Sequence, residues 1–281
     1  MNISNAIRNN LNHMTYFPRF LNPILYQRDV SQKLYYIQKG KKHTKNNRRF
    51  VHASSNNPAK MKDINTLSND EKRELLNSLD AVFTDCDGVL WLGSKIIPRA
   101  HDTINQLKEL NKKIFFVTNN STKTRKDLLE SSTKFGFNVT FEEMVTTAWL
   151  TAIYLKSINF TKKAYVVGRN SIAQELAEVG IQCYGPGPDV YVDGKTVKDY
   201  FQKDPDVNAV IVGHDIYFSY PKMIKACNYL TDPNCLFIAT NTDPSLPVSE
   251  NLINPEITHL QEITKEKILG NEELEKSLIF V

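Results

Sequence analysis

The sequence predicts an α/β fold made of two α/β units. From about residue 61 onward, apolar segments suited to strands alternate with segments of helical periodicity. The alternation occurs twice, with a Pro/Gly-rich break, GPGPD at 185–189. In the first unit, two strands joined by a helix span about 33 residues, which is the length of a βαβ unit with parallel strands.

The first unit begins with AVFT at 81–84, a buried strand. Pro98 then opens the helix PRAHDTINQLKELNKK, whose apolar residues fall on one stripe, and IFFV at 114–117 is the next strand. TNNST at 118–122 follows as a turn and as the N-cap of another helix. MVTT at 144–147 is a further strand, and the helix WLTAIYLKSI comes after it.

The second unit repeats the pattern with three more strands. AYVVG at 164–168 leads into the helix SIAQELAEVG, and AVIVG at 209–213 leads into the helix PKMIKACNYL. LFIAT at 236–240 is the last of these strands. Continuous apolar strands of this kind indicate a parallel sheet that helices cover on its faces.

The composition limits the class of protein. The 281 residues, 41% of them hydrophobic, suffice for one large or two ordinary domains. No apolar run approaches the ~20 residues of a membrane span, so we expect a soluble protein. The four cysteines form no CxxC pair, which is typical of a reducing compartment and predicts a cytoplasmic protein.

The charge is concentrated in residues 1–60. This segment holds eleven Lys and Arg against one acid, a net charge of +10, so the remaining residues have a net charge of −6. Three interpretations stay open: a disordered leader, a mitochondrial presequence, or a basic arm that binds nucleic acid or anionic lipid through KGKKHTKNNRR. If residues 1–60 are a presequence, the predicted location becomes mitochondrial.

Two aspartates follow the first strand in AVFTDCDGVLW. In an open α/β sheet, ligands bind at the carboxyl ends of the strands, and the i, i+2 spacing points Asp85 and Asp87 to the same side. Two close carboxylates repel each other, and a hard cation, Mg²⁺ first, relieves that repulsion with oxygen ligands. Cys86, between them, points to the opposite face and packs.

A second polar group follows the neighbouring strand, in VTNNS at 117–121. The hydroxyl of Thr118 and the amides that open the next helix predict an anion-binding corner. Other chemistries are excluded, because an EF-hand loop would need Asp or Asn at Val89, a Walker loop would need Lys before Ser at 94–95, and no arginine lies six residues after a cysteine.

Four segments carry a resemblance to a known family: DCDGVLW, FFVTNNSTKTR, VGRNSIAQELAEVGIQCYGPGPD and LFIATNTDPSLPVSE. They closely resemble the haloacid-dehalogenase superfamily, in its capped branch of 4-nitrophenylphosphatases, phosphoglycolate phosphatases and pyridoxal phosphate phosphatases. The resemblance implies a Rossmann-like parallel-sheet core, incomplete here, with an inserted α/β cap of the C2 type. It also implies the N-terminal part of the core at 61–136, the cap at 137–235, and a return towards the core with a divergent tail at 236–281. The composition of residues 1–60 predicts a basic, disordered leader before them.

The resemblance implies Mg²⁺-dependent hydrolysis of small phosphomonoesters of the phosphoglycolate or 4-nitrophenyl phosphate type. Asp85 would be the nucleophile that forms an aspartyl-phosphate, and Asp87 the general acid and base. The Asp85 carboxylate and the Asp87 carbonyl would bind Mg²⁺. The implied substrate-binding residues are Thr118, Asn119, Asn120 and Tyr217. The implied partners are a small phosphorylated metabolite and, through the cap, a second copy of the chain; neither a membrane nor nucleic acid is expected.

The chain departs from the family pattern in three respects. A Gly-Lys-Pro lysine and an acidic Gly-Asp motif are not visible, and no Asp occurs after Asp243. Without the strands that accompany those motifs, AVFT would lie at a sheet edge. Tyr217 stands where the family often has a substrate-facing His. The alternative function is therefore a truncated, catalytically impaired relative that acts as a binding protein or is non-functional.

Overall fold

The structure, a computed structural model, describes residues 66–241 in full and the backbone of three later strands, at 245–249, 252–255 and 278–280. The predicted leader at 1–60 lies outside the described residues. None of the helices in the described part of the chain combines the length and apolarity needed to cross a membrane.

Helices and strands alternate along the described chain, as the sequence predicts. In chain order they are α1 (Asn69–Ser78), β1 (Ala81–Asp85), β2 (Trp91–Leu92), β3 (Lys95–Ile96), α2 (Ala100–Glu109), β4 (Lys113–Thr118), α3 (Arg125–Lys134), a 3₁₀ turn (Phe141–Glu143), β5 (Met144–Thr146), α4 (Thr147–Ser157), β6 (Lys163–Val167), α5 (Asn170–Glu178), β7 (Cys183–Tyr184), α6 (Val197–Tyr200), β8 (Val207–Val212), α7 (Tyr220–Tyr229), β9 (Leu236–Ala239), β10 (Ser245–Ser249), β11 (Leu252–Pro255) and β12 (Leu278–Phe280).

The first sheet has three parallel strands in the order β1-β4-β5. Ala81 is level with Lys113 and Asp85 with Val117, so the carboxyl ends of β1 and β4 meet at the same edge of the sheet. This pairing confirms the predicted βαβ unit. Among the described strands β1 pairs with β4 alone in this sheet, so it lies at the sheet edge, as expected.

The core of the first unit packs around the aromatic residues of β4 and the turn that follows α3. Phe116 is completely buried, and its ring meets the edge of Phe137 at a centroid distance of 5.4 Å. Ile104 from α2, Leu128 from α3 and the buried Trp91 belong to the same apolar cluster. This packing fixes β4, and therefore the polar residues at its carboxyl end.

The second sheet has five parallel strands in the order β12-β9-β8-β6-β7. The central strands are almost wholly buried, which accounts for their continuous apolar sequence. Apolar residues of α4 and α5 pack with alternate residues of β6 and β8, and residues of α7 pack with the intervening ones. Helices therefore cover both faces, and the prediction of two α/β units is confirmed. We refer to this sheet with α5, α6 and α7 as the second unit.

Strand pairing divides the chain at other residues than the predicted domain boundaries at 137 and 235. The strand β5, inside the range 137–235, pairs with β4 in the first sheet. The strand β9, which follows residue 235, pairs with β8 in the second sheet instead of returning to the first. The predicted boundaries follow from the family resemblance, whereas the partner of a strand depends on the tertiary packing of this chain. The division into core and cap stays a prediction.

One predicted helix boundary also differs from the structure. The helix that Pro98 was expected to open begins two residues later, at Ala100. Arg99 precedes it with φ of 67°, a left-handed conformation that cannot continue a right-handed helix.

The core of the first unit provides a test of the fold. We expect Phe116→Ala to lower the free energy of unfolding by about 3–5 kcal/mol, because it removes a fully buried ring from a packed cluster. Urea denaturation followed by circular dichroism measures the change. Leu110→Ala, at an exposed position just after α2, is the control and should change it by less than about 0.5 kcal/mol. Equal effects of the two substitutions would contradict the described core.

Candidate active site

Asp85 and Asp87 lie at the carboxyl edge of the first sheet. Asp85 is the last residue of β1 and is exposed, and its Oδ1 accepts the N–H of Cys86 at 2.8 Å. Asp87 is half-buried in the loop that follows. The Asp85 carboxylate is accessible to a ligand, whereas that of Asp87 is partly covered by the protein.

Three side-chain donors fix the carboxylate of Asp87. Trp91 Nε1–H donates to Oδ1 at 3.1 Å, while Thr118 Oγ1–H and Asn120 Nδ2–H donate to Oδ2 at 3.3 and 3.4 Å. Thr118 and Asn120 come from the end of β4, so the structure brings together the two polar groups that the sequence predicts to meet. Both carboxylate oxygens of Asp87 have donors, and this sets the orientation of the carboxylate.

A tight turn brings Trp91 back to Asp87. The N–H groups of Leu90 and Trp91 both donate to the carbonyl of Cys86, at 2.9 and 3.2 Å. Gly88 has φ of 85°, a conformation that glycine adopts without strain. The buried indole of Trp91 stacks on Phe135 at a centroid distance of 5.3 Å. Sequence reasoning missed Trp91; its signal is a Trp four residues after the Asp, with a glycine between them.

The segment after β4 folds into a turn that its own side chains stabilise. The N–H of Asn120 donates to Thr118 Oγ1 at 3.1 Å, and the N–H and hydroxyl of Thr122 donate to Asn120 Oδ1 at 3.0 and 2.6 Å. The carbonyl of Asn119 accepts the hydroxyl of Thr147 at 3.1 Å, and Asn119 itself is exposed. We call residues 118–122 the corner.

The prediction that the corner caps the next helix is wrong. Helix α3 begins at Arg125, and its N-cap is Thr124, whose side chain accepts the N–H of Asp127 while Asp127 accepts the N–H of Thr124. Thr124 with Asp three residues later satisfies the capping pattern better than the residues of TNNST do. The amides that open α3 therefore lie beyond the corner, whose donors come from a turn.

Cys86 lies between the two aspartates and faces the core, as predicted. Its side chain is completely buried in the apolar cluster of the first unit. Burial raises the pKa of the Cys86 thiol well above its ordinary value, and the negative charges of Asp85 and Asp87 raise it further; Lys123 acts in the opposite direction. The thiol is therefore protonated at neutral pH and packs as a small apolar group.

Tyr217 lies in the loop that follows β8. Its ring is exposed and its N–H donates to Asp215 Oδ1 at 2.8 Å. Asp215 forms an ion pair with Lys222 of α7, and neither side chain has any exposed surface. The beginning of this loop contacts the corner, because the N–H of His214 donates to Ser121 Oγ at 3.4 Å. The assignment of Tyr217 to substrate binding stays a prediction.

The donor chemistry at the end of β1 fits a magnesium ion. Mg²⁺ binds to proteins through one or two carboxylates and completes its coordination with waters and substrate phosphate oxygens. Asp85 offers an exposed carboxylate, and Asp87 belongs to the same loop. No group of three or more His, Cys, Asp or Glu suited to a metal occurs within the described residues.

Comparison with known proteins agrees with this arrangement. Residues 82–182 match the family model of the haloacid dehalogenase-like hydrolases. The match covers less than half of the chain, and it shows that this segment is similar to members of that family. The matched segment includes Asp85, Asp87 and the corner. The candidate site therefore lies within the part of the chain that is similar to this family.

Related proteins and structures give the same result. The chain is 40% identical over 191 residues to a glycerol-3-phosphate phosphatase of Rattus norvegicus, across 65% of this chain and 60% of the relative. It is 43% identical over 178 residues to the chloroplastic phosphoglycolate phosphatase 1A of Arabidopsis thaliana, across 60% of this chain and 48% of the relative. The chain thus spans between about half and three fifths of these relatives.

A solved structure shares the fold. The p-nitrophenyl phosphatase from Archaeoglobus fulgidus aligns with a TM-score of 0.55 and 25% identity, over 67% of this chain and 64% of the other. The predicted α/β class with a parallel-sheet core, and the resemblance to the haloacid-dehalogenase superfamily, are confirmed.

The bond from Trp91 to Asp87 can be tested by stability. Trp91→Phe keeps an aromatic ring and removes the N–H donor, so we expect a loss of about 1.5–3 kcal/mol in the free energy of unfolding. Urea denaturation measures it. Tyr165→Phe is the matched control, because the buried Tyr165 hydroxyl has no hydrogen-bond partner in the described part of the chain, and this change should be neutral or stabilising. A neutral Trp91→Phe would contradict the bond.

The environment of Cys86 predicts its reactivity. A raised pKa means that the thiolate fraction at pH 8 is smaller than that of a free cysteine, and burial excludes the reagent. We expect Cys86 to resist iodoacetamide at pH 8 in the folded protein and to react in urea, as measured by peptide mass spectrometry. Equal rates of modification in the two conditions would show that Cys86 is not buried beneath the site.

Proposed function

We propose that this chain is a Mg²⁺-dependent phosphatase that hydrolyses small phosphomonoesters through an aspartyl-phosphate intermediate. One observation supports it above all: the exposed carboxylate of Asp85 lies two residues from Asp87, whose own carboxylate is bound by Trp91, Thr118 and Asn120. An exposed carboxylate beside an oriented acid is the arrangement that phosphoryl transfer to a carboxylate requires.

Asp85 is the proposed nucleophile. One carboxylate oxygen attacks phosphorus, the bond between phosphorus and the ester oxygen breaks, and the protonated carboxyl of Asp87 gives its proton to the departing oxygen. In the second half of the reaction the Asp87 carboxylate takes a proton from water as that water attacks phosphorus. The bond from phosphorus to Asp85 then breaks, which releases inorganic phosphate and regenerates both groups.

The corner is the proposed site of the phosphoryl oxygens. The hydroxyl of Thr118 lies at the edge where β1 and β4 end, and Asn119 is exposed beside it. Asn120 holds Asp87 through its amide, so it contributes to both the acid and the corner. Asp85 and the Asp87 carbonyl would hold Mg²⁺, which when bound neutralises part of the charge that the two carboxylates and the phosphate bring together.

The second unit is proposed to act as a cap that selects the alcohol part of the substrate, with Tyr217 facing it. The similarity to a phosphoglycolate phosphatase and to a p-nitrophenyl phosphatase supports phosphoglycolate or 4-nitrophenyl phosphate as the substrate type. We also propose a homodimer through this unit, because its surface exposes apolar residues in two neighbouring segments: Val190, Tyr191, Val192, Val197, Ile216, Tyr217, Phe218 and Tyr220. The proposed location is the cytoplasm.

A second candidate function is binding of a phosphorylated ligand without turnover. It is favoured by the absence of a third acidic or imidazole ligand beside the aspartate pair in the described part of the chain. A weakly held metal would leave the two carboxylates and a phosphate in mutual repulsion, which slows the attack of Asp85. Such a chain would bind phosphate esters at the corner and release them unchanged.

The proposed nucleophile gives the principal test of function. We expect the purified 281-residue chain to release phosphate from 4-nitrophenyl phosphate or phosphoglycolate with Mg²⁺, to stop with EDTA, and to recover when Mg²⁺ returns. Asp85→Asn should lower kcat by more than about 1,000-fold, because it replaces the attacking carboxylate with a neutral amide that is a much weaker nucleophile. Malachite-green detection of phosphate measures the rate.

Asp70→Asn is the matched control, since Asp70 is a highly exposed aspartate on α1 and its change should leave kcat unaltered. Activity that survives Asp85→Asn would refute the assignment of the nucleophile. Binding of phosphate without any turnover by the unmodified chain would favour the second candidate.

A further inference from the structure

Ser121 lies at the point where the second unit meets the corner. Its side chain is 2% exposed. Its carbonyl accepts the hydroxyl of Ser171, in the first turn of α5, at 2.6 Å. Its Oγ accepts the N–H of His214, the second residue after β8, at 3.4 Å. Two separate elements of the second unit therefore hold one residue of the first.

The close approach of β8 to Ser121 depends on a glycine. A Cβ at Gly213 would lie 2.7 Å from Ser121 Oγ and 2.8 Å from Thr240 Oγ1, both closer than real side chains allow. Gly213 follows β8 directly and Thr240 follows β9 directly. The carboxyl end of β8 is therefore packed closely between Ser121 on one side and Thr240, at the end of β9, on another.

Ser121 is bonded in sequence to Asn120, whose side chain contacts the Asp87 carboxylate. The backbone on both sides of Asn120 is held by hydroxyl groups, since Thr147 donates to the carbonyl of Asn119 and Ser171 donates to that of Ser121. The amide of Asn120 reaches Asp87 at 3.4 Å, near the upper limit of a hydrogen bond. A displacement of the backbone by about 1 Å would break this bond, and misplacements of that size lower catalytic rates strongly.

We infer that Ser121 is a positioning residue through which the second unit sets the orientation of Asn120 and, through it, of the Asp87 carboxylate. Ser121 acts through Asn120 and does not need to touch the substrate. The inference rests on the proposed function for its kinetic consequence. Its structural content, that the second unit holds the corner in place through Ser121, can be measured without any turnover.

Ser171→Ala tests the inference from the side of the second unit. It removes the hydroxyl that holds the Ser121 carbonyl and leaves every residue of the site intact. We expect kcat with 4-nitrophenyl phosphate to fall about tenfold, and Ser171→Thr, which restores a hydroxyl, to recover at least half of the loss. We also expect faster hydrogen exchange at the amides of Asn120 and Thr122, which donate to the side chains that form the corner.

Ser157→Ala is the matched control. Ser157 is also a buried serine whose hydroxyl donates to a carbonyl, that of Tyr154, but this bond lies within helix α4. The control should leave kcat within twofold and the exchange of Asn120 and Thr122 unaltered. Gly213→Ala is a second variant, which keeps both hydroxyls and displaces Ser121 by steric contact, and it should reproduce the effects of Ser171→Ala.

The outcomes separate the inference from the proposed function. If the unmodified chain hydrolyses the ester and Ser171→Ala leaves both kcat and amide exchange unaltered, the inference is overturned and the proposed function stands.

If the unmodified chain has no activity, the proposed function fails, and the exchange measurement decides the inference alone. Faster exchange in Ser171→Ala and not in Ser157→Ala supports it, and unaltered exchange overturns it. Equal losses of kcat in Ser171→Ala and Ser171→Thr would also overturn it.

Discussion

Two carboxylates two residues apart at the end of one strand repel each other, and the surroundings of Asp87 compensate for that repulsion. Its two oxygens accept hydrogen bonds from Trp91, Thr118 and Asn120, and these donors come from the turn after β1 and from the end of β4. The βαβ pairing, the buried indole and the corner after β4 each supply one part of this arrangement. Asp85 is exposed beside it, and its Oδ1 accepts the N–H of Cys86.

The two units are joined at the same place where the site is built. The corner bonds to Asp87 on one side, and through Ser121 it bonds to α5 and to the loop after β8 on the other. A second contact lies nearby, because the N–H of Arg125 donates to the buried carboxylate of Glu175 on α5 at 2.6 Å. Burial raises the pKa of Glu175, and the bond from Arg125 opposes that change. The second unit therefore contacts the first both at the corner, which bonds to Asp87, and at the start of α3.

Sequence reasoning placed Asp85, Asp87, Thr118 and Asn120 correctly at one edge, because parallel strands bring their carboxyl ends together whatever their exact packing. It missed Trp91, since the contact depends on a turn that is set by the left-handed Gly88. It placed the helix cap at the corner although Thr124 and Asp127 supply a better one. The pairing of β9 with β8 and the role of Ser121 depend on tertiary packing, which periodicity and spacing do not describe.

The central claim is that the carboxylate of Asp85 forms a bond to phosphorus. Borohydride reduces an aspartyl-phosphate to homoserine, so mass spectrometry of peptides from a reaction quenched during turnover identifies the phosphorylated residue. The account predicts conversion of Asp85 alone, and only when the phosphate ester is present. Conversion of another residue, or turnover of the ester with no converted residue at all, would contradict it.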